Sequence, residues 1–244
     1  MGEMALAMEP VVIDQRPDIS HIITEDDEPV DNLFSAKQQR LLVEPLYTSW
    51  QPDRLFVADA NVGVFGTPHD PPVVPDMFLS LDVEIAENWY AKEHRTYFIW
   101  EFGKAPDVVI EIVSNKKGGE LSRKLRTYTR LRIWYYVVYD PQLLLQDRPL
   151  QIYELRLDRY VPITESSLAP LGLQLTLWQG VYETREGEWL RWCDAQGNLL
   201  PTGAERAAQE QHRANQEQHR ANREQQRAER LAAQLRALGI EPEA

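Results

Sequence analysis

Apolar and polar positions fall into three regimes along the chain. Residues 1–28 are acidic with little apolar periodicity and read as a flexible arm. Residues 29–201 pass repeatedly between helical and extended patterns and read as one folded domain. From 202 to 244 the composition shifts to Ala, Arg, Gln and Glu, and QEQHRAN occurs twice in tandem, at 209–215 and 216–222. That seven-residue period predicts one long helix over 205–238. Its early heptads offer only Ala214 and Ala221 as apolar positions, so the seam is thin. Ala228, Leu231, Leu235 and Leu238 keep a three-four spacing, where a second copy could zip on as a coiled coil. The alternative is a solvated, unpaired helix.

Inside the middle region the pattern opens with a helix capped by Asp31 or Asn32, running through Phe34, Leu41, Leu42 and Leu46, with Pro45 bending or ending it. Residues 54–65 alternate around Leu55, Val57 and Val62, with a turn or bulge at Asn61 and Gly63. A Pro-rich loop (67–72) leads to a strand over 73–81 that carries Asp76. Residues 82–95 form an acidic excursion with a short helix, and 96–100 an extended piece. Residues 106–114 read as a buried strand in which six apolar residues surround one carboxylate, Glu111. After a Gly118-Gly119 break comes a helix over 120–131, then an aromatic, β-branched strand over 134–139. A helix between two buried strands makes those strands parallel neighbours. Hairpin strands follow at 150–157 and 159–163, turning at Asp158. Short strands at 173–178, 181–184 and 188–193 have turns at Glu186-Gly187 and Gln196-Gly197.

Strand periodicity sets Asp107, Val109, Glu111 and Val113 on one face. A buried carboxylate without a partner costs several kcal/mol or neutralises itself. The next helix offers Lys124, with Tyr128 one turn further on the same face. Asp76 follows Pro75 in the earlier strand. Should the two strands pair at ~4.8 Å, Asp76 and Glu111 converge. Two carboxylates, the main-chain carbonyl of Ile112 and water form an all-oxygen shell suited to Mg²⁺. Asp107, four residues from Glu111 and so ~13 Å along the strand, is too distant to share that ion. The bland readings are an Asp in a turn for Asp76 and a solvated helix residue for Lys124. Trp178, Trp189 and Trp192 read as hairpin core.

Charge and composition narrow the partners. The formal net charge is −12. By segment it is −8 over 1–31, −4 over 32–201 and 0 over 202–244, so the folded body lacks the broad basic face of most duplex-DNA binders. A single Cys193 excludes an intramolecular disulfide and a cysteine zinc site, and the five histidines show no metal-ligand spacing. No stretch approaches the ~20 apolar residues of a membrane helix, and the expectation is a cytoplasmic protein.

The order helix, strands bearing first Asp and then Glu, helix, strand resembles the core of PD-(D/E)xK nucleases. One departure is that Val113 stands where the third motif residue is usually lysine. The chain resembles in particular the Uma-two family of restriction endonucleases of cyanobacterial type, in which that lysine is displaced onto the following helix. The stretches that carry the likeness are EPVDNLFSAKQQRLLVEPLY, ANVGVFG, PPVVPDMFLSLDV, PDVVIEIVSNKKGGELSRKLRTY, YYVVYDP and RLAAQLRALGI. The resemblance implies an α/β, restriction-endonuclease-like core, a mixed central sheet flanked by helices, with added C-terminal β-hairpins and a long C-terminal helix. It implies Asp76 and Glu111 as Mg²⁺ (or Mn²⁺) ligands, Lys124 as the catalytic lysine and DNA as substrate. Gln38 or Gln39 on the first helix could join the site. The competing function is a catalytically inactive scaffold or nucleic-acid-binding module assembling through its C-terminal helix.

Overall fold

The computed structural model describes residues 32–116 and 119–237, together with Asp18. Apart from Asp18, the acidic arm expected over 1–28 lies outside these residues, as do Asp31, Gly118 and Leu238. In chain order the elements are α1 (Leu33–Ser49), β1 (Phe56–Asp59), β2 (Val64–Phe65), β3 (Met77–Leu81), β4 (Tyr97–Phe98), α2 (Ile99–Phe102) and β5 (Val108–Ile112). A π-helical turn (Glu120–Lys124) leads into α3 (Leu125–Arg130), β6 (Tyr135–Tyr139), β7 (Leu150–Arg156) and β8 (Arg159–Ile163). The chain ends in β9 (Ser167–Leu168), β10 (Leu173–Tyr182), β11 (Arg185–Asp194) and α4 (Gly203–Ala237). Among the described residues no helix is long and apolar enough to cross a membrane.

The chain divides into two compact units. Among the described residues, the first holds those up to Val43, from Pro52 to Ser166 and from Leu177 to Leu190. Its centre is a six-stranded sheet in the order β1-β3-β5-β6-β7-β8. The β5–β6 pair is parallel, as the intervening helix requires, and the other pairs are antiparallel. Every residue of β3, β5 and β6 is buried. That explains why these strands read as unbroken apolar runs. One sheet face gathers Val57, Phe78, Val109, Tyr136 and Val138 into a core closed by Tyr128 of α3.

The second unit holds Glu44–Gln51, Ser167–Thr176 and the described residues from Arg191 on. Here α4 starts with a capping box: Thr202 Oγ1 accepts the Glu205 N–H (3.1 Å) and Glu205 Oε2 accepts the Thr202 N–H (2.8 Å). The same carboxylate takes two hydrogen bonds from Arg191, at 2.8 and 2.6 Å. Arg191 is 2% exposed, so this pair anchors the helix start through a buried guanidinium. No described residue of α4 is buried.

Two local expectations are corrected, and one of two alternatives is removed. Pro45 does not end the first helix, which runs on to Ser49; Leu42 and Leu46, both fully buried, outweigh one missing N–H. The extended piece over 96–100 shrinks to Tyr97–Phe98, after which the chain coils into α2 and stops at Gly103 (φ 75°). The hairpin turn lies at Glu183 and Thr184, with φ of 44° and 66°, and not at Glu186-Gly187. Two consecutive positive φ values match the right-handed twist of long strands, a geometry these side chains tolerate at a cost. Asn32 is the cap of α1: its Oδ1 accepts the N–H groups of Phe34 and Ser35, both at 3.0 Å.

Candidate functional site

The register of β3 against β5 pairs Met77 with Ile110 and Phe78 with Val109. One further step sets Asp76, the residue before β3, opposite Glu111. Directly opposed residues carry their Cβ atoms ~5 Å apart, so the two carboxylates share one neighbourhood. Glu111 is 1% exposed. It survives there because two donors reach it: Lys124 Nζ stands 2.6 Å from Oε2, and Tyr128 Oη 2.5 Å from Oε1.

Lys124 arrives through the π turn. Gly119, in the left-handed region at φ 75°, redirects the chain, and the Lys124 N–H donates to the Gly119 carbonyl five residues back (3.0 Å). The widened turn hands over to α3, whose α-helical spacing aligns Tyr128 with Lys124. Tyr128 is fully buried against Tyr136 (ring centroids 5.0 Å), so its hydroxyl is held in place.

Asp76 is held from two sides. Its Oδ2 accepts the Ile112 N–H at 2.6 Å and its Oδ1 accepts Gln39 Nε2 at 3.1 Å. Gln39 is tied in turn to Asn61, whose Nδ2 donates to Gln39 Oε1 at 3.0 Å. Of the two glutamines, Gln39 is thus the one in contact with an acid. Gln38 instead clasps the backbone of Leu190 through both of its amide atoms. Asp107 sits at the far end of β5, where its Oδ2 accepts the Leu81 N–H and Lys104 Nζ.

Burial pushes the Glu111 carboxyl up to about 8; the Lys124 charge opposes the rise and the Asp76 charge adds to it. Burial acts against the Lys124 ammonium, yet the surrounding Glu111, Asp76 and Glu120 carboxylates outweigh it and raise its pKa. Glu120 was not singled out from the sequence. It is 5% exposed, and among the described residues its Oε2 has no hydrogen-bond partner. Sequence offered no signal for it, since an acid at a helix start is ordinary. Asn61 was visible only as a turn residue, and its φ of 56° shows that it is one. Nothing in the turn pattern announced its bond to Gln39.

Chemically, the site offers hard oxygen donors on one side and a fixed ammonium on the other. Among the described residues no cluster of three or more His, Cys, Asp or Glu gathers to bind a metal. Each oxygen of Glu111 accepts one hydrogen bond from the partners above and, having two lone pairs, can take a second. The chain's elements, a mixed sheet flanked by helices, a C-terminal β-hairpin sheet and a long terminal helix, are those of a restriction-endonuclease-like fold. No curated protein matches the chain. The family model Uma2, described as "Putative restriction endonuclease", matches residues 16–179, more than half of the 244 residues, and the chain belongs to that family.

Proposed function

We propose that the protein is a metal-dependent endonuclease that hydrolyses DNA phosphodiester bonds. The observation that carries this reading is Glu111: a buried acid facing Asp76 across the β3–β5 pair and holding Lys124 at 2.6 Å. Asp76, Glu111 and the Ile112 carbonyl would hold Mg²⁺ or Mn²⁺, ions that accept one or two carboxylates and leave other positions to water and substrate oxygens. When bound, such an ion lowers the pKa of water and neutralises developing phosphate charge.

The remaining work falls to the chain. Lys124 Nζ, pinned by Glu111, can donate to the attacking water or to a non-bridging phosphate oxygen as negative charge builds. Tyr128 fixes the Glu111 rotamer, and Gln39 with the Ile112 N–H fixes Asp76, so neither acid has to reorganise during the reaction.

Two measurements test the reading. Mn²⁺ should raise the thermal midpoint of the wild-type protein and leave that of Glu111→Gln unchanged, because binding to the native state stabilises it. Plasmid DNA at low ionic strength should be cleaved with Mg²⁺ or Mn²⁺, and Glu111→Gln and Lys124→Ala should each abolish cleavage. Activity that survives chelation or Glu111→Gln refutes the site. A second reading draws on α4, whose fully exposed heptads suit assembly: an inactive nuclease-fold scaffold, or nucleic-acid-binding module, that forms homodimers through this helix. Absence of both metal binding and cleavage favours it.

A further inference from the structure

Beside the acid pair, on the same sheet face, lies a cavity of about 300 Å³. Its floor is aromatic. Phe78 meets Tyr97 edge-on at 5.1 Å, and Tyr97 stacks on Phe102 at 4.3 Å with an interplanar angle of 6°. Its wall comes from the segment before β4. There Arg95 Nε donates to the Tyr90 carbonyl (2.8 Å) and His94 Nδ1 bonds the Asn88 carbonyl (2.7 Å), so the wall is shaped in advance. Trp89 stands on this rim 57% exposed, a large indole left uncovered beside an apolar hollow. Beside Phe78, on the neighbouring strand, Asp59 brings a carboxylate from the end of β1.

The register fixes where this cavity lies. Asp59 pairs with Phe78, and Phe78 pairs with Val109. Phe78 and Val109 are each two residues along their strands from Asp76 and Glu111, which is about 7 Å. The link is also covalent and hydrogen-bonded: Asp59 is two residues from Asn61, which bonds Gln39, which bonds Asp76.

We propose that this cavity receives a single nucleobase of the strand being cut, one nucleotide away from the phosphate at the acid pair. The occupant is a planar base that turns an N–H donor toward Asp59. The exposed Trp89 indole supplies a face for stacking, which any base can use, beside the apolar floor. Asp59 accepts from the base edge, from the exocyclic amino group of cytosine, adenine or guanine or from the N3–H of thymine. The volume admits one ring system and no duplex. This proposal rests on the nuclease reading for the word "substrate", but base binding can be measured without cleavage.

The test titrates the full chain, without metal, with the four deoxynucleoside 5′-monophosphates and with deoxyribose 5-phosphate as the baseless control, followed by two-dimensional NMR. The four nucleotides are expected to bind at least tenfold tighter than the control. Trp89→Ala is expected to cost about tenfold. Asp59→Ala is expected to weaken all four nucleotides several-fold and to leave the control unchanged. Both positions are exposed in the fold, so the variants should remain folded. Equal affinity for the nucleotides and the baseless control, or wild-type behaviour of both variants, overturns the proposal. Parallel cleavage assays separate the two claims: cleavage with a base-blind cavity removes the cavity proposal alone, and base binding without cleavage supports the cavity while removing the nuclease reading.

Discussion

The contact between Lys124 and Glu111 lends itself to a double-mutant cycle. Two unit charges ~3 Å apart attract by about 5 kcal/mol at an effective dielectric of 20, before any desolvation is counted. Glu111 is nearly inaccessible, whereas the Lys124 side chain keeps 22% of its surface, so part of that attraction is screened. Removing one partner of a fully buried pair costs about 3–5 kcal/mol. Screening lowers the expectation for Lys124→Met to about 2–3 kcal/mol. The loss has a ceiling because Glu111 can take up a proton once its cation is gone. That escape is easiest at low pH, so the cost of Lys124→Met should grow as pH rises. Glu111→Gln keeps the shape and removes the charge, and in the double variant no charge is left stranded. Urea unfolding of the four proteins in chelator at pH 9, where Glu111 is ionised, should give a coupling of about 2 kcal/mol. A coupling below about 0.5 kcal/mol would show that the pair is held by packing alone, and the charge argument for the site would fail.

Three further outcomes are expected. Hydrogen bonds from Arg40 and Lys37 hold the Glu183 carboxyl at about 2, so its contribution is complete above its ordinary 4.5 and is lost as pH falls through about 2. Glu183→Gln should therefore flatten acid unfolding in that window, by less than about 1 kcal/mol because the group is exposed. Thr184→Gly should raise stability by up to about 1 kcal/mol in thermal unfolding, since a β-branched residue in the left-handed region is strained. Sedimentation of the full chain against one ending at Glu210 should reveal whether α4 drives association; cutting at Thr202 would strip buried Arg191 of Glu205 and confound the result.

The three central strands were legible because burial on both faces writes an unbroken apolar run, and a lone acid inside such a run stands out. Glu111 showed through for that reason, and Asp76 through its place in the apolar stretch whose strand, β3, starts one residue later. Lys124 and Tyr128 could be placed on one helix face from their spacing, although the π turn that starts that face has no sequence signature. The choice between Gln38 and Gln39 was not legible. They differ by about 100° around α1, and only the packed helix shows which points to an acid. The β10–β11 turn was misplaced since Glu186-Gly187 carries the stronger local signal, while strand pairing forced two reluctant residues into positive φ. Asn61 was hidden because its partner Gln39 lies across the fold, beyond anything periodicity encodes.

Beneath the acid pair, Tyr136 touches the rings of Tyr128, Tyr153 and Tyr160 at 5.0, 5.9 and 5.7 Å. Aromatic rings locked at fixed mutual angles are chiral absorbers, and their near-ultraviolet dichroism vanishes when packing loosens while helices and strands persist. One member of this array holds Glu111 by its hydroxyl. The tyrosine band is therefore a built-in optical gauge, readable without any label, of whether the support beneath Glu111 is in place.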